Sequence, residues 1–393
     1  MGEYVNLTKI AFITQDIGLY GSSRSLQLTL ESLIDKNYLK KEDIIIIYPK
    51  ALNYFLNYKL EEKFYNSYFS NFNNSKNWII PFSNIIENIS STNLRKLKSF
   101  IRIFVFFIFW MIKYKKQFKK ANMEQVYLNS ITLWPMLFVL PKHIKIIMHI
   151  REVLDLNKSF SKIARRTIVN KCSELIAIDK KTALPFLDYD KKVTIIRNPF
   201  EMKMARKLKE EKYGVICKKY GMNPDKIYVS LIGSIQEVKG QKFFCNIAKK
   251  CDTSDNFGFI IVGNGRGPYY NDVVNAVGNI ENLHYIGEVK NIEEIYAITH
   301  IVIRCDSFFP LGRTVWEAYY SGCKILLPYN VNDDISEIKD YLNKEIFLYN
   351  LRNADSAIMK LKEIKNQGFS VNSSLPTGNL EKYIKEIGDI LRI

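Results

Sequence analysis

The chain has 393 residues, 47% hydrophobic and 25% charged, an ordinary globular composition with length enough for two domains with full cores. Its 57 basic and 40 acidic residues leave a net charge of +17, which favours a polyanionic partner: nucleic acid, an anionic membrane or a phosphorylated substrate. The six cysteines form no C-x-x-C pair and the four histidines show no metal-ligand spacing, so packed, reduced thiols and no metal site are expected.

Along the chain, the first predicted strand is KIAFIT (Lys9–Thr14). The loop after it, DIGLYGSSRSLQLTL, sets Gly18 and Gly21 ahead of a helix starting near Ser22 or Ser23. Small residues there either admit a ligand to the free N–H groups of the helix start or simply turn the chain. The loop matches neither the dinucleotide fingerprint nor the NTPase phosphate loop. Further strands are predicted at Ile44–Lys50, Trp78–Phe82, Val126–Ser130, Ile144–Ile150, Glu174–Asp179 and Val193–Asn198. Between the second and third of these additional strands lies SFIRIFVFFIFWMIKYKKQFKK (Ser99–Lys120), with an apolar run from Ile103 to Ile112 that is too short to span a bilayer. It reads equally as an interfacial helix, its aromatics followed by Lys113, Lys115, Lys116, Lys119 and Lys120, or as a buried helix with a solvated basic end.

A join is expected near Asn198-Pro199-Phe200, followed by the charged segment EMKMARKLKEEKYG, which lacks strand character. Strands resume at Ile227–Ser234, Gly258–Gly265, Leu283–Val289, His300–Asp306, Lys324–Asn330 and Glu345–Asn350, and the tail after Pro376 reads as an amphipathic helix. Continuous apolar strands alternating with helices imply parallel sheets buried on both faces. The organisation predicted is α/β, with two doubly wound Rossmann-like domains, 1–198 and 199–375, and a C-terminal helix within 376–393. Ligands of such sheets bind outside the carboxyl ends of the strands, so two such domains are expected to face each other across a cleft.

The second half carries three strand-end motifs. LIGSIQEVKGQ places Gly233 and Ser234 at a strand end and Lys239 before a helix, either as a point charge for a diphosphate or as a surface lysine. IIVGNGRGPYY ends a strand in Gly263-Asn264-Gly265, which either admits a flat base or turns the chain. In GRTVWEAYYSGCKILLP a helix is expected over Arg313–Ser321, stopped by Gly322 before a strand. Its start at Gly312 suits a phosphate, and Glu317, one turn in, faces Arg313. The pair is either a surface salt bridge or an acid placed for sugar hydroxyls beside an anion site.

Taken together, these stretches resemble glycosyltransferase family 4, the group 1 glycosyltransferases of the GT-B fold. GSIQEVKGQ, FIIVGNGRGPYY, LHYIGEVKNIEEIYAITHIVI and GRTVWEAYYSGCKIL occur in the family's order, and GLYGSSRSL, VYLNS, HIREV and IIRNPF add weaker matches in the first half. The resemblance implies that Lys239 binds the donor diphosphate and Glu317 the ribose hydroxyls. Gly312, Arg313 and Thr314 would offer backbone N–H groups, and His149 would lie near the transferred sugar. Gly18, Gly21, Gly233, Ser234, Gly263, Asn264 and Gly265 would shape the donor site. Two positions depart from the family. Phe309 stands where a second glutamate usually grips the sugar, with Asp306 a candidate substitute. Ser234 stands where an arginine is frequent, with Arg313 or Arg304 as candidate sources of the charge.

The reaction implied moves a sugar from a nucleotide-sugar to an acceptor hydroxyl with retained anomeric configuration, without metal or other cofactor. The acceptor expected is a lipid-linked glycan in polysaccharide or glycoconjugate assembly. With no signal-peptide pattern, and Asn6 where myristoylation expects Ser or Thr, the expectation is a cytoplasmic protein peripheral to the inner membrane face. The rival readings are a non-catalytic GT-B partner that activates another transferase, motivated by Phe309 and Ser234, and a nucleic-acid binder, motivated by charge and disfavoured by the order of the loops. Glycogen-synthase-like enzymes share the fold but not the lysine-rich segment.

Overall fold

The computed structural model describes residues 9–15, 21–49, 52–53, 58–59, 72, 75–78, 108, 111–120, 123–189, 191–306, 312–330, 345–369 and 375–393. Gly18, Phe309, residues 79–82 of one predicted strand and most of the apolar run 103–112 lie outside them. Contacts divide the chain into one unit of Met1–Pro199 with Glu381–Ile393 and a second of Phe200–Leu380.

The first unit holds β1 (Ile10–Ile13), β2 (Ile44–Pro49), the short antiparallel pair β3 (Leu52–Asn53) and β4 (Tyr58–Lys59), β5 (Ser75–Trp78), β6 (Gln125–Leu128), β7 (Lys145–Ile150), β8 (Glu174–Ala177) and β9 (Val193–Ile195). Among the described residues, seven of these strands form a parallel sheet in the order β5-β2-β1-β6-β7-β8-β9. Every residue of β1 and β6 is buried, as a strand covered on both faces requires. Of the strand predicted at Trp78–Phe82 only Trp78 is described, at the end of β5, SKNW; the rest of that prediction lies outside the described residues. β5 pairs with β2 at the sheet edge, where backbone bonding on one side sets the strand and no apolar run marks it.

The second unit holds β10 (Ile227–Ile232), β11 (Phe257–Val262), β12 (Leu283–Gly287), β13 (Ile301–Ile303), β14 (Lys324–Tyr329) and β15 (Ile346–Asn350), all parallel, in the order β12-β11-β10-β13-β14-β15. Side chains alternate between two apolar layers: Phe257, Phe259 and Ile261 enter one, Ile260 and Val262 the other. The charged segment after the join forms the helix Lys203–Lys219. Its buried Arg206 donates to the carbonyls of Tyr320 at 2.8 Å, Leu375 at 2.6 Å and Pro376 at 2.9 Å.

The chain passes from one unit to the other at Pro199–Phe200 and back at Leu380–Glu381. Phe200 N donates to Asn379 Oδ1 at 2.8 Å and Asn379 N to Phe200 O at 3.0 Å. The last helix, Leu380–Leu391, buries Tyr383, Ile384, Ile387 and Leu391, one helical stripe. It closes onto the first sheet where Gln125 Nε2 donates to Leu391 O at 3.0 Å.

In both sheets the strand order reverses direction once, between β1 and β6 and between β10 and β13. Connections leave such a switch point in opposite directions and open a crevice at the strand carboxyl ends. The described site candidates lie at strand ends of the two sheets, each within its own unit.

Candidate functional site

In the second unit, β10 runs into Gly233, at φ 147°, and a short turn ends on Gly240, at φ 74°. A Cβ on Gly240 would stand 2.3 Å from the Cys305 carbonyl oxygen. Glycine therefore lets the Lys239 loop lie directly against the end of β13, the strand across the switch point. There Asp306 is buried, and Arg304 holds it through both carboxylate oxygens, Nε to Oδ1 at 2.8 Å and Nη2 to Oδ2 by a shorter contact. Lys239 Nζ reaches the same carboxylate at 3.4 Å from a side chain that is 43% exposed. Two cations thus share one acid, leaving a net positive charge. The tight fork belongs to Arg304, and the looser contact belongs to the lysine that solvent can reach.

Arg304 also brings this charge to the next element. A Cβ on Gly312 would lie 3.6 Å from Arg304 Nη1, so the guanidinium sits beside the start of the helix Arg313–Tyr320. One turn along, Glu317 is buried. Its Oε1 accepts from Arg313 Nη2 at 3.0 Å and its Oε2 from the Tyr296 hydroxyl at 2.8 Å. Burial first, and then the Glu317 charge, push the Tyr296 phenol well above its ordinary pKa, so it stays a donor. Arg313 also stacks over the Phe200 ring, 4.7 Å from its centre. The Arg313–Glu317 ion pair therefore exists, but inside the unit, with side chains 16% and 9% exposed, not on the surface.

Gly263, at φ 138°, comes so close to the neighbouring loop that a Cβ would stand 1.9 Å from the Gly233 carbonyl oxygen. Ile235 N donates to Asn264 O at 2.9 Å, Ile235 and Gly265 form a parallel bridge, and the Tyr285 hydroxyl donates to Gly263 O at 3.1 Å. These glycines join two strand-end loops edge to edge. Ser234 offers its carbonyl to Gln241 Nε2 at 2.9 Å. Thr314 lies in the first turn of its helix. A cavity of about 1030 Å³ runs along the edge strand β12, lined by residues including Lys219, His284 and Lys290, and includes neither Lys239 nor Glu317.

In the first unit, the helix Gly21–Asp35 begins at Gly21, at φ 68°. Asn129, just past β6, donates from Nδ2 to Ser22 O at 3.0 Å. Arg151, just past β7, donates from Nε to Asn129 O at 3.1 Å and Oδ1 at 3.0 Å, and from Nη1 to Asn198 Oδ1. His149, fully buried in β7, has the Tyr127 hydroxyl and Arg151 Nη2, the latter at 3.2 Å, against its Nδ1. Burial, then the Arg151 charge, hold its pKa well below the ordinary value, so the ring is neutral. Glu152 turns away, accepting from Ser130 Oγ at 2.9 and 2.8 Å.

Sequence reasoning assigned no role to Arg151, Tyr127, Asn129 or Tyr296. Arg151 was within reach: two residues from His149 on a strand, it falls on the same face. Among the described residues, no three His, Cys, Asp or Glu side chains group as a metal site, and no helix is long and apolar enough to cross a membrane.

Residues 215–368 match the model of the family described as glycosyl transferases group 1. No curated protein matches the chain by sequence. Among solved structures, the chain is similar to Anabaena HepE in complex with UDP-glucose, with a TM-score of 0.70 at 13% identity over 98% of this chain and 99% of that one. It is also similar to a glycosyltransferase from Rickettsia africae, with a TM-score of 0.68 at 15% identity over 98% of each chain. The lipopolysaccharide outer core galactosyltransferase WaaB aligns with a TM-score of 0.61 at 12% identity, over 98% of this chain and 99% of that one. The fold is that of the GT-B glycosyltransferases, and the stretch that carries the group 1 signature is the second unit.

Proposed function

We propose that the protein is a glycosyltransferase that moves a sugar from a nucleoside-diphosphate sugar to an acceptor hydroxyl with retained anomeric configuration. The observation that carries this reading is the pairing of Lys239 and Arg304 on Asp306, beside the helix start at Gly312. A departing diphosphate develops negative charge, and fixed cations and helix N–H groups facing it lower the barrier without reorganising. Lys239, held loosely and partly in solvent, exchanges Asp306 for a phosphate oxygen at little cost. Arg304 takes the part of the charge that Ser234 does not provide. Glu317, one turn further along, receives the ribose hydroxyls.

Because protein cations face the diphosphate, the reading needs no metal or other cofactor. It also needs no enzyme nucleophile, since the donor phosphate oxygen takes the acceptor proton on the face the leaving group vacates. HepE is complexed with UDP-glucose, which makes a uridine diphosphate sugar the first donor to test. The acceptor proposed is a lipid-linked glycan, met at the inner face of a membrane through the lysine-rich helical residues 111–120. Calorimetric titration with UDP and UDP-glucose tests the donor side. Binding of both, with release of UDP in the presence of acceptor, is the expected result.

A further inference from the structure

We propose that Arg206 and Phe200 tie the helix Arg313–Tyr320 to the two segments through which the chain enters and leaves the second unit, and that Arg206 is thereby a positioning residue for Glu317. The helix has eight residues, little more than two turns. So short a helix is not stable by itself, and its place is set by what it packs on. At its carboxyl end, Tyr320 O accepts from Arg206 Nε at 2.8 Å, where the free carbonyls and partial negative charge of a helix end favour a cation. At its amino end, the Arg313 guanidinium lies over the Phe200 ring, 4.7 Å from the centre. The same ring meets that of Tyr320 at 5.7 Å between centroids. Arg313 in turn bonds Glu317 Oε1 at 3.0 Å, so one side chain separates the Phe200 ring from the acid.

The two anchors belong to one structure, all of it within the second unit. Met202 N donates to Thr377 O at 2.6 Å, Asn379 N donates to Phe200 O at 3.0 Å, and Glu201 and Gly378 form an antiparallel bridge. A Cβ on Gly378 would stand 2.2 Å from Phe200 O, so only glycine lets the entering and leaving segments lie this close. Arg206 joins them to the helix. It is buried, and its Nη1 and Nη2 donate to Leu375 O at 2.6 Å and Pro376 O at 2.9 Å. Hydrogen bonds from a charged donor are strong, and three carbonyls around one planar group fix its orientation. Whatever displaces either segment therefore displaces both ends of the helix, and Glu317 with them. On the glycosyltransferase reading, which this consequence rests on, Arg206 acts on the nucleotide only through the place it gives the acid that receives the ribose hydroxyls.

Native-state hydrogen exchange of the full chain in low urea tests the tie without a ligand. Amides of residues 313–320 are expected to open together with those of Met202 and Asn379, with one urea dependence. Separate opening of the helix and the two segments overturns the tie. Arg206→Lys keeps the charge and loses the planar fork. It is expected to speed exchange in these segments at least tenfold more than at Phe259 in β11. An equal acceleration at Phe259, or none anywhere, removes Arg206 from the role. If that variant does not fold, Phe200→Leu, which removes the ring beneath Arg313, takes its place, and the wild-type urea series stands in either case.

The consequence for Glu317 is read with UDP and 2′-deoxy-UDP. The wild type is expected to prefer UDP, and Arg206→Lys to narrow that preference at least threefold. A residue that only stabilises the fold would leave the ratio unaltered, so bound UDP with an unaltered ratio overturns the positioning role. Failure of UDP to bind the wild type, or a wild type without the preference, counts against the donor reading and leaves the exchange result standing.

Discussion

Arg313 and Glu317, one turn apart on a single helix, form a 3.0 Å ion pair whose acid also accepts the Tyr296 hydroxyl. The helix start and the acid are therefore fixed relative to each other before any ligand arrives, with donors on both carboxylate oxygens. A carboxylate has lone pairs for further donors, so two ribose hydroxyls can add to this arrangement without displacing it. Glu317→Gln keeps the shape but exchanges half of the acceptor for a donor that faces Arg313 or Tyr296. It is expected to weaken UDP binding at least tenfold, about 1.4 kcal/mol, with the far-ultraviolet spectrum unchanged. Titration calorimetry of the variant checks this, and wild-type affinity would remove Glu317 from the nucleotide site.

Gly240 couples two loops across the switch point. A methyl group there meets the Cys305 carbonyl oxygen at 2.3 Å and sits on a backbone with φ 74°. Gly240→Ala must push the Lys239 turn away from the end of β13, at a cost of about 1–3 kcal/mol. The expected outcome is a lower urea midpoint together with weaker UDP binding. Ala at Gly221, where φ is 69° and no atom lies within 4 Å of the Cβ position, is the control for backbone strain alone.

Burial lowers the pKa of His149, His284 and His300, the last to about 3. Below about pH 6.5 the unfolded chain takes up protons that the folded chain refuses. The stability these rings carry is complete above that pH and is lost as pH falls toward their folded values, for His300 down to about 3. Glu152 acts in the opposite sense: burial raises its folded pKa, so stability is regained as pH falls through that value. The three histidines outnumber it. Urea midpoints are therefore expected to drop between pH 7 and pH 5. His300→Gln is expected to flatten that drop by up to about 1.4 kcal/mol per pH unit. A profile unaltered by His300→Gln would show that the ring titrates alike in both states.

Residues 111–120 form a helix that buries Tyr114 and Phe118 while Ile112 is 65% exposed. Lys113, Lys115, Lys116, Lys119 and Lys120 all stand in solvent, and each contributes about 1 kcal/mol near an anionic bilayer. Flotation with phosphatidylglycerol liposomes at low salt is expected to carry the protein. The effect should be lost at high salt and when the five lysines become glutamine. A protein that stays at the bottom of the gradient leaves this helix a plain solvated face and the lipid-linked acceptor without support.

The parallel strands were legible because burial on both faces leaves a continuous apolar run, as in FIIV within β11 and ILLP within β14. The stretch Ser75–Asn77 of β5 was not legible, because it carries no apolar run and pairs with β2 through its backbone. In the site, Lys239 and Glu317 were legible as local patterns of glycine, charge and helix start. The long-range pairings Lys239–Asp306 and Tyr296–Glu317 were not, because tertiary packing brings these residues together. Asp306 meets Lys239 from 67 residues away and Tyr296 meets Glu317 from 21. The burial of the Arg313–Glu317 pair was not legible for the same reason: no local pattern shows that the helix Ile292–Ile298 and the Phe200 ring cover it.

Whether Lys239 and Arg304 hold a diphosphate is tested most directly by binding of UDP and UDP-glucose to the wild type, Lys239→Ala and Arg304→Met. The wild type is expected to bind both ligands, with affinity falling as salt rises because the contact is ionic. Each variant is expected to lose at least tenfold, about 1.4 kcal/mol, for both ligands and to keep its affinity for uridine, which has no phosphate. Arg304→Met should lose more than Lys239→Ala, since it also leaves the buried Asp306 with only the looser of its two cations. Equal affinity of all three proteins for UDP, or no binding of any uridine diphosphate ligand by the wild type when another nucleotide sugar binds independently of Lys239 and Arg304, would contradict that role.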